Sequence, residues 1–162
     1  METFKISKYL TYKEGIKSAS ALRLGIDNEP NVDQLENMKF VAKEIFDRVR
    51  EFIGGPLMAT SFFRSKELND AIPGSSKTSQ HMTGEAIDID CDAYGIGSNL
   101  DVFNFIRENL IFDQVINEYP DKFGRPSWVH VSKRRKGGDR GEVWVKLKSK
   151  YIPYSQYKIG MV

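Results

Sequence analysis

The chain has 162 residues, about the length of one ordinary domain and enough to bury a single core. Its 40% hydrophobic and 28% charged residues are typical of a soluble globular protein and exclude a disordered or fibrous one. A net charge of +2 is too small to indicate nucleic-acid binding, and a single cysteine, Cys91, excludes an intramolecular disulfide and a thiolate zinc site. We therefore expect a monomeric single domain over residues 1–162, in which any metal site is built from His, Asp and Glu.

The first ten residues lack the basic start and long apolar segment of a secretory signal. No run in the sequence reaches the roughly 18 apolar residues of a membrane span. We therefore expect a protein made in the cytoplasm that binds neither membrane nor nucleic acid. Such a protein would act outside the cell only after release by a separate factor.

Two capping-box patterns predict helix starts in the first third of the chain. The first, at 11–14, opens a helix expected to continue through Ala19 and Leu22 to Gly25. The second, at 31–34, opens a longer helix that ends before Gly54. The apolar positions of the longer helix recur at helical spacing and are Leu35, Met38, Val41, Ala42, Ile45, Val49 and Phe52.

A short apolar run at 57–63 predicts a strand that places Arg64 at its end. Ser65 then caps a short helix that continues through Ala71, before a stop at Pro73. The polar residues that follow predict a loop presenting His81.

The segment 86–90 alternates apolar and polar side chains, which predicts a strand with Asp88 and Asp90 on one face. A helix is expected to begin at Ser98 or Asn99. Its apolar stripe consists of Val102, Phe105, Ile106 and Leu110.

Residues 114–118 and 128–132 are strand-like and enclose a segment rich in turn formers, which predicts a hairpin with a long loop. If Glu118 lies opposite Trp128, then both share one face with His130. Val115, Val129 and Val131 would then face the core. A charged loop at 133–141 and a final strand at 142–147 complete the predicted order.

The two histidines of the chain and one acidic residue therefore form a candidate metal site. His81, Asp88 and His130 would give three zinc ligands and leave a fourth position open, as catalytic zinc sites do. Glu118 is then the natural general base, and Arg64 could hold a carboxylate or a developing oxyanion.

Ordinary structural explanations remain for each of these residues. His81 could be an ordinary loop histidine, and His130 a hydrogen-bonded core histidine. Asp88 could be a capping residue or pair with a surface lysine, and Arg64 could belong to a surface ion pair. Glu118 could merely end a strand in solvent. The basic run 133–136 is expected to be a solvated loop, with attraction of an anionic polymer as the alternative. Asp90 and Asp92 are expected to be solvated turn acids, with calcium binding as the alternative.

The motif around the first histidine is Ser79-Gln-His81-Met-Thr-Gly84-Glu-Ala86-Ile-Asp88, and the second is Trp128-Val-His130-Val-Ser132. In these motifs the chain resembles the zinc D-alanyl-D-alanine carboxypeptidases and phage endolysin peptidases, relatives of the lysostaphin and hedgehog zinc domains. The similarity extends from about Thr11 to Ser132.

The resemblance implies zinc held by His81, Asp88 and His130, with Arg64 as a substrate or transition-state clamp. It implies an α+β fold in which helices pack on a central antiparallel sheet that carries the zinc site on its face. It also implies bacterial peptidoglycan peptides as the substrate. The residues expected to bind that substrate are Ser79, Gln80 and Trp128.

One departure from the family concerns the general base. Many members place the catalytic acid a few residues before the last histidine, where this chain has 125–127. Glu118 corresponds to that acid if 119–127 is an enlarged loop, and Asp121 is the alternative. The leading hypothesis is a phage-type zinc peptidase that cuts either the L-Ala-D-Glu or the D-Ala-D-Ala bond. The alternative is a zinc-binding module without activity.

Overall fold

The computed structural model describes residues 4–162. Residues 1–3 lie outside the described residues, and they are part of the N-terminal segment that is predicted not to be a secretory signal. The α-helices within this range are α1 Tyr12–Ile16, α2 Ala19–Leu24, α3 Val32–Val41, α4 Asp47–Ile53, α5 Lys66–Ala71 and α6 Asn99–Asn109. The strands are β1 Met58–Ser61, β2 Ala86–Asp90, β3 Gln114–Glu118, β4 Trp128–Ser132, β5 Glu142–Lys146 and β6 Tyr151–Pro153.

The six strands form one sheet in the order β1-β2-β4-β3-β5-β6. This architecture confirms the predicted α+β fold, although the sheet is mixed because β3 and β5 run parallel. The reason lies in the connection 133–141, which leaves β4 at Ser132 and starts β5 beside Gln114. The chain thereby passes the start of β3 at Gln114, and β5 then runs in the same direction as β3.

The alternation of side chains along β2, β3 and β4 separates a core face from a functional face. Val115, Val129 and Val131 are fully buried in the core, as predicted. They belong to a cluster with the helices that also contains Met38, Ile45, Phe46, Val102, Phe103 and Ile106. The opposite face carries Asp88, His130 and Glu118, none of which belongs to that cluster.

The prediction of one continuous helix from Thr11 to Gly25 is wrong, because the chain forms two helices, α1 and α2, with a break at Lys17. Lys17 is extended, and the Ser18 side chain accepts a hydrogen bond from the Ala21 backbone N–H at 3.1 Å. Ser18 therefore caps a new helix. Leu22, expected on the apolar face, is 87% exposed.

The capping boxes at Thr11 and Asn31 are both present. Beyond Asn31 the chain remains helical to Ile53, with a π-helical segment at Ala42–Phe46 joining α3 to α4. Phe52, predicted in the buried stripe, is instead 53% exposed and stacks on Phe105. No helix within residues 4–162 is both long enough and apolar enough to cross a membrane.

The C-terminal strand predicted at 142–147 exists as β5, but it is not the last one. A further strand, β6, pairs antiparallel with it and aligns Tyr151 with Lys146. Only three residues form β6, and one of them is a proline, so the sequence gives little sign of it. Strands β5 and β6 pack through a second small core of Val145, Leu147 and Ile152.

The basic run 133–136 is anchored to the protein and is not the solvated loop that was predicted. The Lys133 ammonium donates to the Ile111 carbonyl and to Asp139 at 3.0 and 2.9 Å. Arg135 donates to the side chain of Asn37 at 2.7 Å. These contacts tie the crossover connection to the segment between α6 and β3 and to helix α3.

Candidate metal centre and active-site cleft

The turn that carries His81 is docked against helix α3. It is a 3₁₀ turn, Gln80–Thr83, which ends at Gly84 in the left-handed conformation with φ of 76°. A Cβ at Gly84 would lie 2.5 Å from the Gln34 carbonyl oxygen, so only glycine allows this approach. The amides of Gln34 and Asn37 donate to carbonyls of the turn at 3.0 and 2.8 Å. The helix therefore sets the position of His81.

Strand pairing brings the other two predicted ligands together. Asp88 of β2 lies directly opposite His130 of β4, so both side chains leave the same face of the sheet. The His130 Nδ1 atom lies 2.8 Å from Asp88 Oδ1. One potential ligand atom from each of His81, Asp88 and His130 lies within 4.8 Å of the others.

The ring of His81 has a defined proton position. Its Nδ1 atom lies 2.7 Å from the Phe62 carbonyl oxygen, which can only accept, so Nδ1 carries the proton. Nε2 consequently offers a lone pair toward the site. This buried atom has no hydrogen-bond partner among residues 4–162 and lies 3.3 Å from Asp88 Oδ1.

The protonation states favour metal binding. Burial lowers the pKa of His81 and keeps the imidazole neutral, although the Asp88 carboxylate opposes this effect. Burial alone would raise the pKa of Asp88, but the imidazoles of His81 and His130 outweigh it and hold that pKa well below its usual range. The site thus combines an ionised carboxylate with a neutral imidazole at neutral pH.

These observations fit a bound cation. A buried imidazole lone pair facing a carboxylate oxygen is unfavourable unless a positive charge lies between them. Two nitrogens and one oxygen are a ligand set that zinc uses in catalytic sites. The hydrogen bond from His81 Nδ1 to a backbone carbonyl is also the outer contact that orients metal-binding histidines. The residues present therefore fit zinc, although their role as ligands stays a prediction.

Glu118 lies on the same face of the sheet as this group. It is opposite Trp128 on β4, and Ile116 is opposite His130, as the predicted register requires. Glu118 is buried, with only 7% of the residue exposed. Burial raises the pKa of Glu118 to about 7; the charge of Asp88 adds to the rise, and His130 opposes it. A carboxyl group with this pKa can exchange protons near neutral pH.

Arg64 also lies at this group, on the side of β1. Its backbone N–H donates to the His81 carbonyl at 3.1 Å, which joins the end of β1 to the histidine turn. Its guanidinium lies 3.5 Å from Asp88 Oδ2 and donates from Nε to the Ser61 hydroxyl at 3.1 Å. Arg64 can therefore orient Asp88 as well as face a bound anion.

A cleft of about 1010 Å³ contains all these side chains. The three residues predicted to bind substrate, Ser79, Gln80 and Trp128, line it. The Gln80 amide donates to the buried Asp113 carboxylate at 3.0 Å, which fixes its orientation. Trp128 forms an aromatic pair with Tyr119 at a ring separation of 5.4 Å.

The remaining acidic candidates are engaged elsewhere. Asp121 pairs with Arg125 at 2.8 Å and accepts backbone N–H groups of its own turn. Asp90 accepts from Asn99 at 3.1 Å, and Asp92 accepts from the Asn99 backbone at 2.9 Å. Within residues 4–162, the only group of three or more potential metal-binding residues is His81, Asp88 and His130.

Comparison with known proteins agrees with this geometry. Residues 8–132 match a protein-family model described as peptidase M15. The chain belongs to the peptidase M15 family. This membership confirms the resemblance seen in the motifs and, with the His-Asp-His group, supports a metallopeptidase.

Individual proteins give weaker similarity. No curated protein matches the chain. Among solved structures, the chain is similar to the LdcB LD-carboxypeptidase, whose structure was described as revealing the molecular basis of peptidoglycan recognition. The identity is 18%, the TM-score is 0.39, and the similarity covers 66% of this chain and 64% of that protein. The chain thus spans less than two thirds of that carboxypeptidase.

Several residues that line the cleft were not predicted from the sequence. Tyr119 follows Glu118 and is the only non-glycine residue with positive φ, 48°, among residues 4–162. Trp144 and Tyr151 come from β5 and β6, beyond the region that carries the motifs. The alternation of the segment 142–146 could have suggested Trp144, whereas Tyr151 depends on a strand pairing that no local pattern specifies.

Proposed function

We propose that this member of the peptidase M15 family is a zinc peptidase that hydrolyses an amide bond in the peptide stems of bacterial peptidoglycan. The observation that carries the proposal is the placement of Glu118, with its pKa raised to about 7, on the sheet face that also holds the His81, Asp88 and His130 group. A general base beside a three-ligand metal group is an arrangement that zinc peptidases use to hydrolyse amide bonds.

His81, Asp88 and His130 would hold the zinc ion. When bound, zinc would act as a Lewis acid that polarises a carbonyl group and makes water more acidic. Glu118 takes a proton from the attacking water and delivers it to the leaving amine. Its raised pKa suits both steps, because the carboxyl group exchanges its proton readily near neutral pH.

Arg64 supplies positive charge on the opposite side of Asp88 from the imidazoles. It is a candidate to hold a substrate carboxylate or the oxyanion of the tetrahedral intermediate. Ser79, Gln80 and Trp128 are proposed to contact the peptide along the cleft. The L-Ala-D-Glu bond and the terminal D-Ala-D-Ala bond remain the two candidate cleavage sites.

The test is to incubate zinc-loaded protein with a synthetic pentapeptide stem that contains both bonds and to identify the products by mass spectrometry. Loss of one terminal alanine would identify a carboxypeptidase, and release of the N-terminal alanine would identify an endopeptidase. If zinc-loaded protein cuts neither this peptide nor isolated peptidoglycan, the chain is a zinc-binding module without activity. A zinc-free sample measured in parallel reports any contaminating peptidase.

We also propose that residues 1–162 form a single zinc peptidase domain. One large hydrophobic core contains residues from Ile6 to Val131, and Tyr154 packs against both this core and the small core of β5 and β6, which supports this organisation. A monomeric state, the absence of nucleic-acid and membrane partners, a phage lysis setting and action on the wall after release stay predictions from the sequence.

A further inference from the structure

Strands β5 and β6 lie outside the region that matches the family model, residues 8–132. They nevertheless border the cleft, because Trp144 and Tyr151 are among its lining residues. Strand β6 is at one edge of the sheet and β1, which leads into Arg64, is at the other. The C-terminal hairpin therefore bounds the cleft on the side away from Arg64.

The strand register places Tyr151 at the level of the candidate base. Glu118 is aligned with Lys146 in the parallel pair, and Lys146 is aligned with Tyr151 in the antiparallel pair. Aligned residues in neighbouring strands point to the same face, so all three share the face of the metal group. Two strand spacings separate Glu118 from Tyr151, a backbone distance of about 10 Å. Lys146 lies on the strand between them, so the Glu118 and Tyr151 side chains stand on either side of the Lys146 side chain, and both line the cleft.

The Tyr151 ring contacts Lys146 and remains partly exposed at the cleft. The Lys146 ammonium lies 4.2 Å from the centre of the Tyr151 ring, on the strand between Tyr151 and Glu118. Ile152 is 8% exposed and anchors the strand in the small second core, whereas Tyr151 is 53% exposed. The neighbouring Ile152 therefore fixes the strand, while the Tyr151 ring stays accessible at the cleft.

The phenol is also a reliable hydrogen-bond donor. Burial raises the pKa of Tyr151, and the negative charge of Glu118 raises it further. The hydroxyl group therefore keeps its proton at neutral pH. A peptide in the cleft presents carbonyl oxygens, which only accept hydrogen bonds.

We propose that Tyr151 is a substrate-binding residue: its ring forms the wall of the cleft opposite Glu118, and its hydroxyl donates a hydrogen bond to a carbonyl oxygen of the bound peptide. This inference rests on the proposed peptidase function. It makes the C-terminal hairpin part of the substrate site, although the hairpin contributes nothing to the metal group.

The test compares Tyr151→Phe and Tyr151→Ala with wild type on the synthetic pentapeptide stem. Loss of the hydroxyl alone should reduce kcat/KM about 10-fold, mainly through a higher KM, as expected for one hydrogen bond. Loss of the ring should reduce kcat/KM further. Zinc content and Tm should not change in either variant. Tyr94→Phe is the matched control, since Tyr94 is 48% exposed and lies outside the cleft lining.

A binding measurement separates this inference from the proposed function. Calorimetry with the same peptide and zinc-loaded Glu118→Gln protein should show weaker binding when Tyr151→Phe is added. Cleavage and binding that both remain within twofold of their parent proteins would overturn the role of Tyr151 and leave the peptidase proposal intact. Binding that depends on Tyr151, without cleavage by wild type, would retain Tyr151 and reject the peptidase. Neither binding nor cleavage would reject both.

Discussion

Asp88 and Glu118 are two acidic residues on the same face of one sheet, and each residue is 7% exposed. Their pKa values nevertheless move in opposite directions. The pKa of Asp88 is lowered because the imidazoles of His81 and His130 outweigh burial, whereas burial raises the pKa of Glu118 to about 7. Equal burial therefore produces a permanent anion at one position and a proton-exchanging group at the other.

The difference assigns separate roles to the two acids. A metal ligand must be ionised, and a general base must accept and release a proton near the working pH. The sheet meets both requirements by placing the acids two strands apart, with His130 on the strand between them. Substitutions that remove the charge of Asp88 or the proton exchange of Glu118 test these two roles directly.

The largest effect is expected for Asp88→Asn, which keeps the shape of the side chain and removes its charge. Zinc affinity should fall by more than about 100-fold, because even the outer partners of metal ligands contribute 10- to 100-fold. Activity should disappear with the metal. Zinc titration by calorimetry measures the change, and full zinc occupancy at wild-type affinity would contradict the role of Asp88.

Glu118→Gln should separate metal binding from catalysis. Because the base is lost and the ligands remain, we expect kcat to fall about 10²- to 10⁴-fold while the zinc content stays at one per chain. Metal analysis and steady-state kinetics on the pentapeptide provide both readouts. Asp121→Asn is the control and should leave kcat unchanged; the reverse pattern would make Asp121 the base.

The pH dependence of stability should show the opposite behaviour of the two acids in zinc-free protein. The pKa of Glu118 is about 7 in the folded chain against 4.5 as its ordinary value, so its stabilisation is present below pH 4.5 and is lost as the pH rises through 7. Relative to Glu118→Gln, wild type should lose about 3 kcal/mol over this range. The contribution of Asp88, whose folded pKa is lowered, is present above its ordinary pKa of 3.8 and is lost as the pH falls.

Urea unfolding of zinc-free wild type and Glu118→Gln at pH 4.5 and pH 8 measures this difference. Parallel stability curves for the two proteins would show that Glu118 has an ordinary pKa. Added zinc should lower the pKa of Glu118, because a nearby cation favours the ionised carboxylate.

The smallest effect is expected for Arg64→Lys. Lysine keeps the positive charge beside Asp88 but loses the planar group that binds a carboxylate through two hydrogen bonds. We expect kcat/KM to fall about 10-fold with zinc affinity nearly unchanged. Zinc affinity that drops along with kcat/KM would instead make Arg64 a positioning residue for Asp88.

Much of the candidate site could be predicted from sequence because it depends on strand parity. Alternation along 86–90 and 128–132 assigns Asp88 and His130 to one face of the sheet, and the turn-rich loop sets the alignment of Glu118 with Trp128. Capping residues likewise marked the starts of the helices at Asn31 and Ser98.

The features that escaped prediction depend on contacts between distant segments. The parallel pairing of β3 with β5 follows from the path of the crossover connection, and the break at Lys17 follows from competition between two caps. The place of Tyr151 requires knowledge of two successive strand registers. Periodicity within a single segment contains none of this information.

The strand order has a further consequence for the behaviour of fragments. A fragment that stopped at Ser132 would include every candidate ligand but would leave β3 as the edge of the sheet. An uncovered edge strand presents unpaired backbone groups that can pair with another molecule. Such a fragment should self-associate through β3 and obstruct the cleft beside Glu118, whereas in the whole chain β5 covers this edge of β3.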